Sequence, residues 1–219
     1  MKGKRYGLGA TLVLALPLHA QVFTVDRPDY TESPNLVQPK HVHLESGWAQ
    51  TGSTPEWGTM VRYRLAPRWE VRTTLARPLF WEVGAKWVWW HSDRFRLAWI
   101  NHIQPLGGKG FRSVLSGEHS VHRYTLGWNI GRQMAASGQP GFSFFSHSHG
   151  FQLNPQWTLF VEGVHSAPGG NAALHGWTPL NAGCFWSVTP HVVLDAMAGL
   201  RPIDREVKLY AGLSVRLGK

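Results

Sequence analysis

The sequence predicts an all-β protein: a transmembrane antiparallel up-and-down β-barrel of 10–12 strands, with twelve favoured. Three observations carry this. After Lys40 the chain becomes a series of segments about eight to twelve residues long with apolar residues at period two, divided by Gly, Pro, Asn, Ser and Asp. Beyond the first 20 residues no apolar run approaches the ~20 residues a membrane helix needs. The chain holds 12 Trp but only 16% charged residues, a balance that suits many amphipathic rings at an apolar–aqueous boundary.

The first 20 residues read as an export signal. Lys2, Lys4 and Arg5 precede a short apolar run from Leu8 to Leu18, and Leu18-His19-Ala20 resembles a cleavage site. Residues 21–40 are polar and proline-rich, without period, and are expected to form an extended periplasmic arm. The barrel is expected over 41–219. Loss of Lys2, Lys4 and Arg5 with the signal would take the formal charge from +9 to +6. The basic residues are scattered, which argues against nucleic acid as a partner. Cys184 is the single cysteine, so no internal disulfide can form.

The strands follow in order. His41–Gln50 is the first. Trp57–Leu65 sets Trp57, Thr59, Val61, Tyr63 and Leu65 against Met60, Arg62 and Arg64. Trp69–Ala76 sets Trp69, Val71 and Leu75 against Glu70 and Arg72. Phe80–Trp90 sets Trp81, Val83, Ala85, Trp87 and Trp89 against Glu82 and Lys86. Phe95–Ile103 follows the His91-Ser92-Asp93 turn. Gln104–Glu118 reads as a glycine-rich loop, with at most a weak strand at Phe111–Leu115. Strands resume at Arg123–Gly131, Gly141–Leu153 and Trp157–His165. A Gly/Ala/Pro loop over Ser166–Gly176 precedes Pro179–Val188 and His191–Leu200. The last strand, Val207–Leu217, alternates most cleanly: Val207, Leu209, Ala211, Leu213, Val215 and Leu217 on one face, with Lys208, Tyr210, Gly212, Ser214 and Arg216 on the other. Eleven strands are clear. A membrane barrel usually has an even number, so twelve comes first and ten second. Short and long connections alternate, as in a barrel with two unlike rims.

Residue type decides which face points inward. A small soluble barrel would have to pack Trp57, Tyr63, Trp69, Trp81, Trp87, Trp89, Trp99, Trp128 and Trp157 into a narrow interior. Turned outward, they need only touch lipid. The opposite face then lines a lumen with Glu45, Arg62, Arg64, Glu70, Arg72, Glu82, Lys86, Arg94, Arg96, Glu162, Asp195, Lys208 and Arg216. Arg or Lys facing acyl chains would cost roughly 2–4 kcal/mol each near the midplane.

Several motifs invite chemistry and fall short of it. Ser146-His147-Ser148-His149 with Glu162 could make a nucleophile, base and orienter if the strands bring them together. Two His at i and i+2 are a weak metal pattern. Gly107-Gly108-Lys109-Gly110 lacks the spacing of a phosphate loop. His41, His43 and Glu45 share a face and could titrate in a lumen. In Asp26–Pro34 the alternatives are a docking arm or small plug, with Arg27 and Glu32 on lumen charges, and a self-capped turn built by Asp29, Ser33, Pro28 and Pro34. No catalytic residue, metal site or cofactor is expected.

The segment DRPDYTESPNLVQPKHVHLESG, from Asp26 to Gly47, resembles the opening of the bacterial outer-membrane "transporter" or putative phenol-degradation meta-pathway β-barrel family. Residues 181–199 and 210–217 are similar to that family's last strands. Three departures accompany the resemblance. No Gly stands between Lys40 and His41, the middle is one strand short near 107–122, and the chain ends Leu217-Gly218-Lys219 without an aromatic residue. The resemblance implies an outer-membrane, monomeric channel for passive passage of small, hydrophobic or aromatic compounds. Its partners would be membrane lipid, the solute and the barrel-assembly machinery. Two other classes stay open: a lipid-modifying enzyme built on Ser146, His147 or His149 and Glu162, and a structural barrel closed by its own side chains.

Overall fold

The computed structural model describes residues 25–26, 30–77, 80–106, 110–134, 141–166, 180–201 and 205–218. The signal segment, Arg27, Pro28, Asp29, Gly107 to Lys109 and the 166–176 loop beyond Ser166 lie outside the described residues. Twelve strands follow one another: β1 (Val42–Thr51), β2 (Thr54–Ala66), β3 (Trp69–Arg77), β4 (Phe80–His91), β5 (Phe95–Leu106), β6 (Phe111–Val121), β7 (Tyr124–Met134), β8 (Phe142–Gln152), β9 (Trp157–Ser166), β10 (Leu180–Thr189), β11 (Val192–Arg201) and β12 (Glu206–Leu217). Each pairs antiparallel with its neighbours in sequence, and β12 returns to β1 from Val42↔Leu217 to Thr51↔Lys208. Closure pairs the ladder all the way round and leaves no open edge.

The twelfth strand is β6, in the stretch read from sequence as a loop. Its alternation was hidden because both faces are mixed. Val114 and Ser116 point inward and are buried, while Ser113 points outward and accepts a hydrogen bond from Trp99 Nε1 at 2.7 Å. Neither face is purely apolar, so no two-colour pattern marks the strand. The barrel is therefore not one strand short near 107–122. Strand β2 also starts earlier than expected, at Thr54, so Trp57 sits inside it.

The outward face is apolar around the barrel. Trp57, Leu65, Trp69, Leu75, Trp90, Ile103, Ile130, Phe151, Leu180 and Leu209 are among its exposed side chains. So large an exposed apolar surface marks contact with lipid or another protein. At the rim of short turns (67–68, 122–123, 190–191) the rings associate: Trp69 stacks on Trp87 at 5.7 Å and Trp157 on Trp186 at 5.4 Å. The strand ends Met134, Phe142, Ser166 and Leu180 lie at the other rim, as alternation of strand direction requires.

Candidate functional site

The interior is occupied by the chain's own N-terminal arm. Residues expected to lie outside the barrel as a periplasmic arm are bonded to its inner wall; among the readings of Asp26–Pro34, a small plug describes this arrangement. Asp26 N donates to Glu45 Oε2 at 3.0 Å. Its carboxylate meets Arg72 at 2.7 Å, Lys86 at 3.0 Å and Arg62 at 3.2 Å. Thr31 donates to Glu162 from its N at 2.5 Å and from its Oγ1 at 2.6 Å, and its hydroxyl lies 3.0 Å from Ser146 Oγ. Glu32 is clamped on both ends. Its N donates to Asn129 Oδ1 at 2.6 Å, and its carbonyl accepts from Asn129 Nδ2 at 3.0 Å and Ser116 Oγ at 2.5 Å. Its carboxylate takes Arg72 at 2.7 Å and His102 and Arg112 each at 3.0 Å. Ser33 and Asn35 donate to Glu118, and Val37 N donates to Glu70 Oε2 at 2.9 Å. Lys208 Nζ reaches Tyr30 Oη at 2.9 Å. These bonds touch strands β1 to β9 and β12.

The Ser33 part of the self-capped turn is present within the plug, and Pro28 is not among the described residues. Ser33 N donates to Asp26 Oδ1 at 3.3 Å and Asn35 N to Ser33 Oγ at 3.1 Å; Asp29 lies outside the described residues. The arm joins β1 through a turn in which His41 N donates to Gln38 O at 3.2 Å. Lys40 there adopts φ 64°, a left-handed conformation that suits glycine and costs other residues roughly 1–2 kcal/mol.

Strand geometry makes this lumen. Inward positions at period two put Arg62 on β2, Glu70 and Arg72 on β3 and Lys86 on β4 at one depth, with Glu45 beside them on β1. Arg62 is fully enclosed yet bonded to Glu45 at 2.8 Å and Glu70 at 2.9 Å. Buried charges persist only when paired in this way. In the arm, burial alone would raise the Asp26 carboxyl, but Arg62, Lys86 and Arg72 outweigh it and hold the group below the usual aspartate range. Burial likewise opposes ionisation of Glu32, while His102, Arg112 and Arg72 draw it well below the usual glutamate range.

Most of the charged side chains proposed from sequence come together inside. Glu45, Arg62, Glu70, Arg72, Glu82, Lys86, Glu162, Asp195, Lys208 and Arg216 are buried, and Arg96 pairs with Glu118 at 2.8 Å. Arg64 lies at the short-turn rim, where its guanidinium caps Ala66 O at 3.3 Å and Pro67 O at 2.5 Å. Arg94 does not line the lumen: it is exposed in the β4–β5 turn, one residue before β5 begins. His102, Arg112, Ser116, Glu118 and Asn129 were missed. Arg112, Ser116 and Glu118 fell in the supposed loop. His102 and Asn129 continue the inward positions of β5 and β7, and counting in twos from Arg96 and Arg123 would have found them.

The enzyme arrangement is not assembled. Ser146 and Glu162 point inward and share Thr31. His147 and His149 stand on the outer face of β8 with His165 of β9: His147 stacks on His165 at 5.5 Å, and Tyr124 Oη lies 2.5 Å from His149 Nδ1. Adjacent residues of a strand face opposite sides of the sheet, so Ser146 and His147 cannot meet. Among the described residues no group of three or more His, Cys, Asp or Glu could hold a metal ion.

Between the arm and the short-turn rim lies a cavity of about 1090 Å³. Arm residues Ser33 to Leu36 form part of its wall, and Phe160, Phe185 and Val193 give it an apolar side. Arg64, Arg68, Arg123 and Arg216 also line it.

No family model matches the chain, and no curated protein matches it. Solved structures do. The KdgM porin superposes with a TM-score of 0.65 at 10% identity, over 79% of this chain and 98% of that one; it has also been solved in complex with disordered oligogalacturonate. The NanC porin gives 0.57 at 10% identity, over 80% and 100%. The Acinetobacter baumannii outer membrane protein Omp33 gives 0.54 at 8% identity, over 81% and 98%. The shared property is the fold: this chain has the twelve-stranded closed barrel matched to those porins.

Proposed function

We propose that this chain is an outer-membrane channel for passive passage of small solutes with a hydrophobic or aromatic body, closed at rest by its own arm. One observation carries the reading. A closed barrel with an apolar exterior encloses polar walls and a cavity that runs inward from one rim until it meets the arm. The porin fold of the neighbours and the family resemblance of Asp26–Gly47 support the same assignment. The short-turn rim, where β1 begins and β12 ends, is then periplasmic, and the first 20 residues are the export signal. The lumen charges set what passes once the arm moves.

A second reading is favoured by the plug itself: a barrel permanently sealed by the arm's many bonds to the wall, from Asp26 to Val37. Liposome swelling with aromatic and charged solutes, run on the native chain and on Glu32→Ala, separates the two. A channel swells slowly in the native form and faster in the variant. A sealed barrel gives no swelling in either form, and that outcome would remove the channel reading.

A further inference from the structure

The cavity at the short-turn rim is unbalanced in charge. Its lining carboxylates are already engaged: Glu118 with Arg96 at 2.8 Å, and Glu32 with Arg72 and Arg112. Three of its arginines, Arg64, Arg68 and Arg123, stand apart from these pairs. Arg64 caps only Ala66 O and Pro67 O, and Arg123 reaches Leu153 O at 3.4 Å. Arg68 lines the cavity and is exposed. Among the described residues, these three guanidinium groups have no carboxylate within ion-pair distance. Guanidinium groups present planar forks suited to carboxylate and phosphate, and a concave wall of one sign concentrates ions of the other. Phe160 and Phe185 stack at 5.0 Å and line the same cavity. The volume, about 1090 Å³, lies just above the roughly 300–1,000 Å³ of pockets that hold small organic ligands.

We infer that this vestibule is a binding site for small organic anions, specifically carboxylates on an aromatic or apolar body. The carboxylate is held by Arg64 and Arg68 beside the β2–β3 turn, Arg123 adds to the field of the same sign, and the body lies against the apolar part of the cavity wall. The inference rests on the channel reading for its purpose but not for its test, because binding needs no passage through the arm.

The test is calorimetry on the full chain in detergent, with benzoate, benzylamine and benzyl alcohol as probes of one body and three charges. Benzoate should bind saturably at one site, benzyl alcohol at least tenfold more weakly, and benzylamine not measurably. Benzoate binding should weaken at least tenfold in Arg68→Glu. Arg64→Gln could disturb its own turn, so Arg64→Lys is measured beside it and should keep most of the affinity. Equal binding of benzylamine and benzoate would overturn the assignment, as would undiminished benzoate binding in Arg68→Glu. A barrel that binds benzoate but never conducts would fail as a channel and leave the anion site standing.

Discussion

Glu32→Ala is the sharpest probe of the plug. The native carboxylate holds Arg72 at 2.7 Å and His102 and Arg112 at 3.0 Å. Removing one member of a buried charged cluster costs about 3–5 kcal/mol. The lower end applies here, because every partner keeps another acid. Arg72 retains Asp26 at 2.7 Å and Glu70 at 2.6 Å. His102 and Arg112 retain Glu82 at 2.8 Å and 3.5 Å. The backbone anchors of residue 32 on Asn129 and Ser116 also survive. Docking of the arm should therefore weaken by about 3 kcal/mol. At ~1.4 kcal/mol per factor of ten, the released fraction rises roughly a hundredfold. The assay is single-channel current in a planar bilayer, scored as the fraction of time open. Folding of the variant is checked separately by its altered gel migration before and after boiling. A folded variant with an unchanged open fraction would refute the reasoning, because the arm would then not be what holds the lumen shut.

Acid should act through the same carboxylates. Asp26 and Glu32 both titrate below their usual values in the docked arm, so their ionisation strengthens docking. That contribution is complete above the ordinary carboxylate range, about pH 4, and fades as pH falls through the depressed values. The open fraction should stay flat from about pH 8 to about pH 5 and climb only below about 4; a rise near neutrality would contradict this. Ser146→Ala removes one contact to Thr31 at 3.0 Å, worth about 1 kcal/mol. It should raise the open fraction no more than about tenfold and leave the mass spectrum of lipid A unchanged. A changed lipid spectrum would restore the enzyme reading. Gly183→Ala would put a Cβ 2.4 Å from Ala196 O and 2.6 Å from Phe160 Cζ. Phe160 can yield but the β11 carbonyl cannot, so the boiling temperature needed to unfold the barrel on gels should fall, consistent with a loss of about 1–3 kcal/mol. An unchanged temperature would show that the wall relaxes freely there.

Much of this barrel is legible in the chain because period two is a local property. In β12, Lys208, Tyr210, Ser214 and Arg216 turn inward, and Leu209, Leu213 and Leu217 turn outward, as the alternation of that segment requires. The same count separates Ser146 from His147 without any structure. Strand β6 was illegible for the converse reason: Val114 inside and Ser113 outside blur the code that marks its neighbours. Arg94 was misplaced because a residue one step before a strand shares its sequence pattern but not its ladder.

The amino-acid sequence alone determined that the wall has a greasy and a charged side, since side-chain direction in a strand depends only on parity. It also held the polar, proline-rich character of residues 21–40. What those polar groups bind could not be read from it. Asp26 meets Lys86 across 60 positions of sequence and Thr31 meets Glu162 across 131. Contacts at such separations exist only where the fold brings the strands around one axis. The tertiary structure therefore decided that the lumen is occupied by the arm. The physical reason is charge: the enclosed cations and acids of the wall need partners, and the arm supplies them.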